Sequence, residues 1–451
     1  MKLELKIPAA TKIRLLACLL AAPLLAQATS PADVANLGKT LTPSGAEKAG
    51  NADGSIPEWT GGMTSPPAGW TKEKGYVSPF PDEKPLFTIT AQNLDQYKDK
   101  VSAGLQALLK KNPNLSMPVY KTHRTFANPQ SVYDATKAEA ANVKLDGLSI
   151  KGYTEPGVPF PVPSNGVEEM YNHTLRYFGS YKECEDWLPV RANGDFYKVG
   201  FCEDIAQDAV FDEKQPNHLF SFYGGYDAPA TLVGTIYLVH DPIDQTLGGR
   251  QAWIYNAGQR RVRRAPDLAY DGTNDGYEGM RVVDDYFGFN GAFDRYDWKL
   301  AGKKEMYIRY NEYSTFDHSL KYKDMIDKGS LKSNLMRYEL HRVWVVEATL
   351  KPGMSHICAK KTFYLDEDSH EVALSDCYDG HGALWRTQSL ALVEAYDAKA
   401  MLQLVGIVHD VLNGQYHVIG VHNERNELYE WNTPHKWADF QVDAIRRRGV
   451  R

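Results

Sequence analysis

Past its first 28 residues, this 451-residue sequence has no apolar run as long as the roughly 18 residues a membrane helix needs. It also lacks G-x-S-x-G, H-E-x-x-H, Walker and G-x-G-x-x-G signatures, so no hydrolase elbow, zinc-protease helix or nucleotide loop shows locally. Cysteine is scarce, five in all, and no two stand in C-x-x-C spacing. Positive charge is not in excess: 51 Lys and Arg face 57 Asp and Glu, a formal net charge of −6. That balance argues against a general affinity for nucleic acid or an anionic bilayer. The 13 histidines are scattered, and His417 and His422, five apart, would face opposite ways on one strand. No cofactor and no metal site is therefore indicated.

What is there begins with a leader. Lys2, Lys6, Lys12 and Arg14 precede an apolar core, Leu15 to Ala26, and Ala26-Gln27-Ala28 offers a small-x-small cleavage site after Ala28. A lipobox reading at Cys18 leaves only three apolar residues before the cysteine, too few for an apolar leader core. Cleavage removes four basic residues and Glu4, so the charge moves from −6 to −9. A secreted, periplasmic chain follows. Its four remaining cysteines then suit two disulfides. A turn at Ala192-Asn193-Gly194 sets Cys184 opposite Cys202. A two-residue turn at Glu367-Asp368 pairs Phe363 with Val372 and, further along, Cys358 with Cys377.

Two stretches follow the leader: 29–88, an extended Pro/Gly-rich arm, then 89–451, one sheet domain covered by helices. The arm's piece GNADGSIPEWTGG resembles a calcium loop only in part, because Thr60 falls where the closing carboxylate belongs. A tight turn anchoring Trp59 is the simpler reading. Apolar spacing predicts helices over 90–111, from Asn128 to about Leu145, over Val167 to Phe178, and near Leu331 to Leu340. Strand grammar fills much of the chain from Leu219 to His409, in segments such as Gln251–Asn256, Arg260–Ala265, His341–Leu350 and Val372–Tyr378. So many antiparallel strands must curl, which gives an α+β fold: a large curved antiparallel sheet, a half-barrel or incomplete barrel, covered by helices.

The stretch from Arg250 to Glu278 stands out. Trp253 and Tyr255 share one side of a strand, and after a glycine turn Arg261 and Arg263 share a side of the returning one. Guanidinium groups on a sheet need partners. The acidic loop of Asp267, Asp271, Asp275 and Glu278 could supply them; alternatively Arg261 and Arg263 hold an anionic headgroup at a cavity mouth. The cavity itself is expected on one face carrying Trp253, Tyr255, Trp344, Val346 and Phe363, beneath the helix at 90–111. With 12% aromatic residues, the chain can line such a space. A ligand-holding protein is favoured over a catalyst.

GNADGSIPEWTGG, GQRRVRRAP, LAGKKEMYIRYNEY (Leu300 to Tyr313) and TFYLDEDS (Thr362 to Ser369) together resemble a family of secreted Gram-negative proteins carrying a domain of unknown function. That family is distantly similar to the periplasmic lipoprotein carriers of the Lol system. The resemblance implies an incomplete barrel around a cavity for a hydrophobic small molecule or acyl chain, and a place in envelope lipid traffic beside RND-type exporters. The expected function is thus a periplasmic carrier or chaperone for a lipid or other hydrophobic ligand. Two alternatives stay open: an accessory subunit docking on an envelope exporter, and a periplasmic enzyme whose Asp and His meet only in the fold.

Overall fold

The computed structural model describes residues 28–449 except Asp267, Glu427 and Leu428, so the expected leader lies almost wholly outside it. The body is a 16-stranded sheet. Thirteen strands make up most of it: β1 Ser180–Val190, β2 Val199–Gln207, β3 His218–Ala228, β4 Ile236–Pro242, β5 Gln251–Asn256, β6 Arg261–Arg264, β7 Tyr296–Arg309, β8 Tyr338–Leu350, β9 Lys360–Asp366, β10 Val372–Tyr378, β11 Leu384–Ala395, β12 Ala400–Asp410 and β13 Tyr416–Val421. They lie in the spatial order β7 to β13, then β1 to β6, each antiparallel to its neighbour. The sheet curves without closing, and β6 ends it on one side.

Cross-strand partners sort the side chains into two faces. Trp344 opposes Leu365, Val346 opposes Phe363, Phe363 opposes Ser375, and the same face continues through Gln388, Val408 and His417 to Glu203, Tyr237, Ile254 and Arg263. We call this the cavity face. Helix α1, Gly166–Thr174, and the segment from Ala265 to Phe293 lie over it. Gly166 lets that helix sit against the backbone of Lys299, and Gly288 sits on Val372 and Leu390.

The opposite face is covered by other elements. Helix Ala103–Lys111 packs on β10 and β11, and the C-terminal helix Val442–Gly449 packs on β4, β5 and β6. Ala103–Lys111 begins where the Ser102 hydroxyl accepts the Leu105 N–H, capping a free donor. It buries Leu105, Leu108 and Leu109. The helix expected from Thr90 is therefore shorter. Its first half forms two 3-10 turns, Leu94–Gln96 and Lys98–Lys100, because Asn93 accepts the Thr90 N–H and Ser102 restarts the chain.

Other expectations also shift. Leu145 lies in a small hairpin, since the helix from Gln130 ends at Glu139. The helix expected near Leu331 to Leu340 is absent: a 3-10 turn, Ser333–Leu335, leads into β8, whose long pairing with β7 overrides the local apolar spacing. Both disulfides form as read, Cys184–Cys202 and Cys358–Cys377. The first register holds, with Cys184 opposite Cys202. The second does not. The β9–β10 connection runs from Glu367 to Glu371 rather than through a two-residue turn, so Phe363 pairs with Ser375, not Val372. Cys358 lies just before β9, where Ala359 donates to Tyr378, and still reaches Cys377.

Candidate ligand-binding site

Strands β1 to β5 set aromatic side chains on the cavity face because each contributes alternate residues to it. Trp187 and Phe201 stack 4.9 Å apart, and Phe222 and Tyr237 continue the wall across β3 and β4. The covering segment lowers Leu268, Tyr277, Val283 and Tyr286 onto them, which leaves a partly open cavity of about 70 Å³. Its few polar groups are placed. The Arg250 Nε donates to Asp241 at 2.6 Å, and other guanidinium nitrogens donate to the carbonyls of Leu268 and Asn290. One arginine, in the loop just before β5, thereby ties down both ends of the cover.

A second cavity of about 60 Å³ adjoins the first and shares Tyr286 with it. Its walls include Glu183, Glu185, Glu203 and Arg281. Glu183 bonds His422 at 2.6 Å, the Trp187 Nε1 donates to Glu185, and the Tyr286 hydroxyl donates to Glu203. Burial, and then the Glu183 charge, pushes the Glu185 carboxyl up to about 7 and that of Glu203 well above the usual range. Burial, and then Arg281, pulls His417 down to about 3. Arg281 lies 4.9 Å from the ring centroids of both Tyr277 and Tyr286.

The residues singled out from the sequence do not gather here. Trp253 and Tyr255 do share a side of β5, but it is the opposite face, where Tyr255 packs with Phe440 and Ile445. Trp344, Val346 and Phe363 are on the cavity face yet sit in the main core near α1, away from both cavities. Arg261 and Arg263 are exposed on the edge strand β6. Among the described residues neither forms an ion pair, and Asp267 lies outside them. The acidic loop is occupied elsewhere: Asp271 pairs with Arg295 at 3.2 Å and Glu278 accepts from Tyr197. Arg264 lies over the Trp253 ring at 5.4 Å.

Trp187, Phe201, Tyr237 and Arg281 escaped the sequence reading, and His417 entered it only for its spacing from His422. A signal did exist for two of them. The Cys184–Cys202 register already places Glu185 opposite Phe201 and Glu183 opposite Glu203, and so sets Trp187 and Phe201 on one face with the three glutamates.

A second polar cluster lies at the β9–β10 connection, under residues 42–62. Arg124 grips both oxygens of Asp368 and donates to the carbonyls of Glu47, Lys48 and Pro57. Asn51 donates to Glu305, and Lys303 pairs with Glu367. Three of the four motifs, from Gly50, Leu300 and Thr362 onward, thus converge on one clamp, while GQRRVRRAP stands apart at the sheet edge. His341, Asp366 and Asp368 each bring one ligand-type atom within 4.8 Å of the others. Arg124 already uses both Asp368 oxygens, so the set acts as an ion-pair network.

A family model described as protein of unknown function, DUF1329, matches residues 88–446. The chain belongs to the DUF1329 family. A Pseudomonas aeruginosa relative, the uncharacterized protein PA3922, is 44% identical over 454 residues, covering 98% of this DUF1329 chain and 99% of its own. Among solved structures, a DUF1329 family protein from Desulfovibrio piger is 17% identical with a TM-score of 0.41, covering 59% of this chain and 90% of that one. A LolA superfamily protein from Nitrosomonas europaea is similar at 12% identity and a TM-score of 0.35, covering 59% of this chain and 91% of that one.

Proposed function

We propose that this protein is a periplasmic carrier or chaperone that takes a hydrophobic ligand between β1–β5 and the covering segment. The carrying observation is the aromatic pocket walled by Trp187, Phe201, Phe222, Tyr237, Tyr277 and Tyr286. Apolar walls with a few fixed polar groups suit binding rather than turnover. Two disulfides fit an oxidising compartment. At about 70 Å³ the space holds only a few methylenes, so a longer chain enters as the cover lifts from the sheet. Arg250 is the tie that such lifting must release.

A fluorescent fatty-acid probe added to the purified mature protein tests this reading. It should bind the wild type and weaken at least tenfold on Phe222→Asp, with circular dichroism unchanged. Native mass spectrometry of periplasmic protein should show a bound amphiphile. Absence of both would remove the carrier reading and leave docking on an RND-type envelope exporter as the reading to pursue.

A further inference from the structure

We propose that Arg281 and His417 hold the anionic head, a carboxylate or phosphate, of an amphiphile whose apolar part occupies the aromatic cavity. This rests on the carrier reading above and names the ligand class. Four buried nitrogens have no protein hydrogen-bond partner, the Nε and Nη1 of Arg281 and both ring nitrogens of His417, and of these the two guanidinium N–H groups and the one N–H of the neutral imidazole can donate to an anion. Arg281 is 2% exposed and His417 is fully buried. Leaving a buried polar group unpaired is costly, so several in one place point to a partner from outside the chain.

Their position identifies that partner. Arg281 belongs to the cover and lies between Tyr277 and Tyr286, both of which line the aromatic cavity. His417 belongs to β13 on the sheet, edge-on to Trp187 at 6.4 Å and 5.9 Å from Tyr277. A head between them would touch the sheet and the cover together and hold the cover shut. A planar guanidinium presents donors that match carboxylate or phosphate oxygens. The neighbouring carboxylates do not compete for it, because Glu183 is bonded to His422, Glu185 to Trp187 and Glu203 to Tyr286. Burial also holds Glu185 and Glu203 toward their neutral forms, which leaves the charge of Arg281 for a ligand.

The test compares dodecanoate with dodecanol, equal in chain and different in head, by quenching of tryptophan fluorescence in the full mature protein. Dodecanoate should bind roughly tenfold tighter, as a charge-assisted pair would give. Arg281→Gln should bring the ratio close to one while dodecanol binding persists, and Arg281→Lys should restore part of it. The ratio is read on the folded fraction alone; should Arg281→Gln not fold, His417→Gln should narrow the same ratio. Equal binding of the two by the wild type would overturn the head site and leave the carrier reading standing. Binding of neither would remove both. Acetate or inorganic phosphate binding as tightly as dodecanoate would show a free-anion site and overturn the amphiphile.

Discussion

Glu185 carries a pH signature that a single substitution can remove. Its carboxyl, ordinarily near 4.5, sits at about 7 in the fold because of burial and then Glu183. A carboxyl raised in this way favours the folded state fully below pH 4.5, and that contribution disappears as pH rises through about 7. Glu203 acts in the same sense, and so does Asp366, lifted to about 6 by burial and then Asp368. His417 works from the other side: held at about 3, it weakens the fold as pH falls below its ordinary 6.5. Thermal midpoints should therefore fall between pH 5 and 8, and Glu185→Gln should flatten that fall. An unchanged slope in the variant would show that Glu185 is not among the groups responsible. Arg261 and Arg263, exposed on β6, are expected to matter little. Replacing both with glutamine should leave the unfolding midpoint and probe binding close to wild type; a large loss of either would restore the clamp or headgroup role first read for them.

At the scale of elements, helix Ala103–Lys111 shows how one glycine sets a packing distance. A Cβ on Gly104 would lie 2.2 Å from the Thr387 Oγ1 and 2.3 Å from the Asp376 Oδ1. Gly104→Val should cost about 1–3 kcal/mol by overpacking against β10 and β11. Ser102→Ala, which removes the cap, should cost about 1 kcal/mol. Urea titrations measure both, and Gly104→Val at wild-type stability would mean that the helix does not dock where described. The long strand β7 shows why some elements escape a reading of spacing. Its first half alternates exposed and half-buried residues, and a bulge at Gly302, with φ +105°, breaks the period. Its mate β8 carries Tyr338 and Leu340 at spacings that also suit a helix, and only the pairing decides between them.

For the whole molecule, the clamp on residues 42–62 joins the start of the described chain to its middle. Arg124 and Asp368 are buried and meet at 2.6 Å. Asp368→Asn leaves the guanidinium without its charge partner, and breaking such a buried pair costs about 3–5 kcal/mol. Hydrogen exchange should rise first around Glu47 to Glu58, before the sheet responds; simultaneous loss of protection throughout would show that the arm and sheet unfold as one unit. The disulfides act through the unfolded chain. Cys184–Cys202 spans a sequence separation of 18, so replacing both cysteines with alanine should cost about 3 kcal/mol in a denaturant titration.

The sequence by itself determined the disulfide pairs, the antiparallel strands, the curling of so large a sheet and the parity of each strand, because these follow from local spacing and from how many strands one surface can hold. It placed Trp253 beside Tyr255, and Arg261 beside Arg263, correctly. Which face of each strand met which cover was decided only in three dimensions. Alternation assigns side chains to a side, but it is symmetric between the two sides until another element covers one. The C-terminal helix took the Trp253 side, and the segment carrying Arg281 took the other. The cavity therefore formed around Trp187 and Tyr237, from strands whose spacing already held it but whose cover lay as far along the chain as Tyr286, 99 residues after Trp187 (286 − 187).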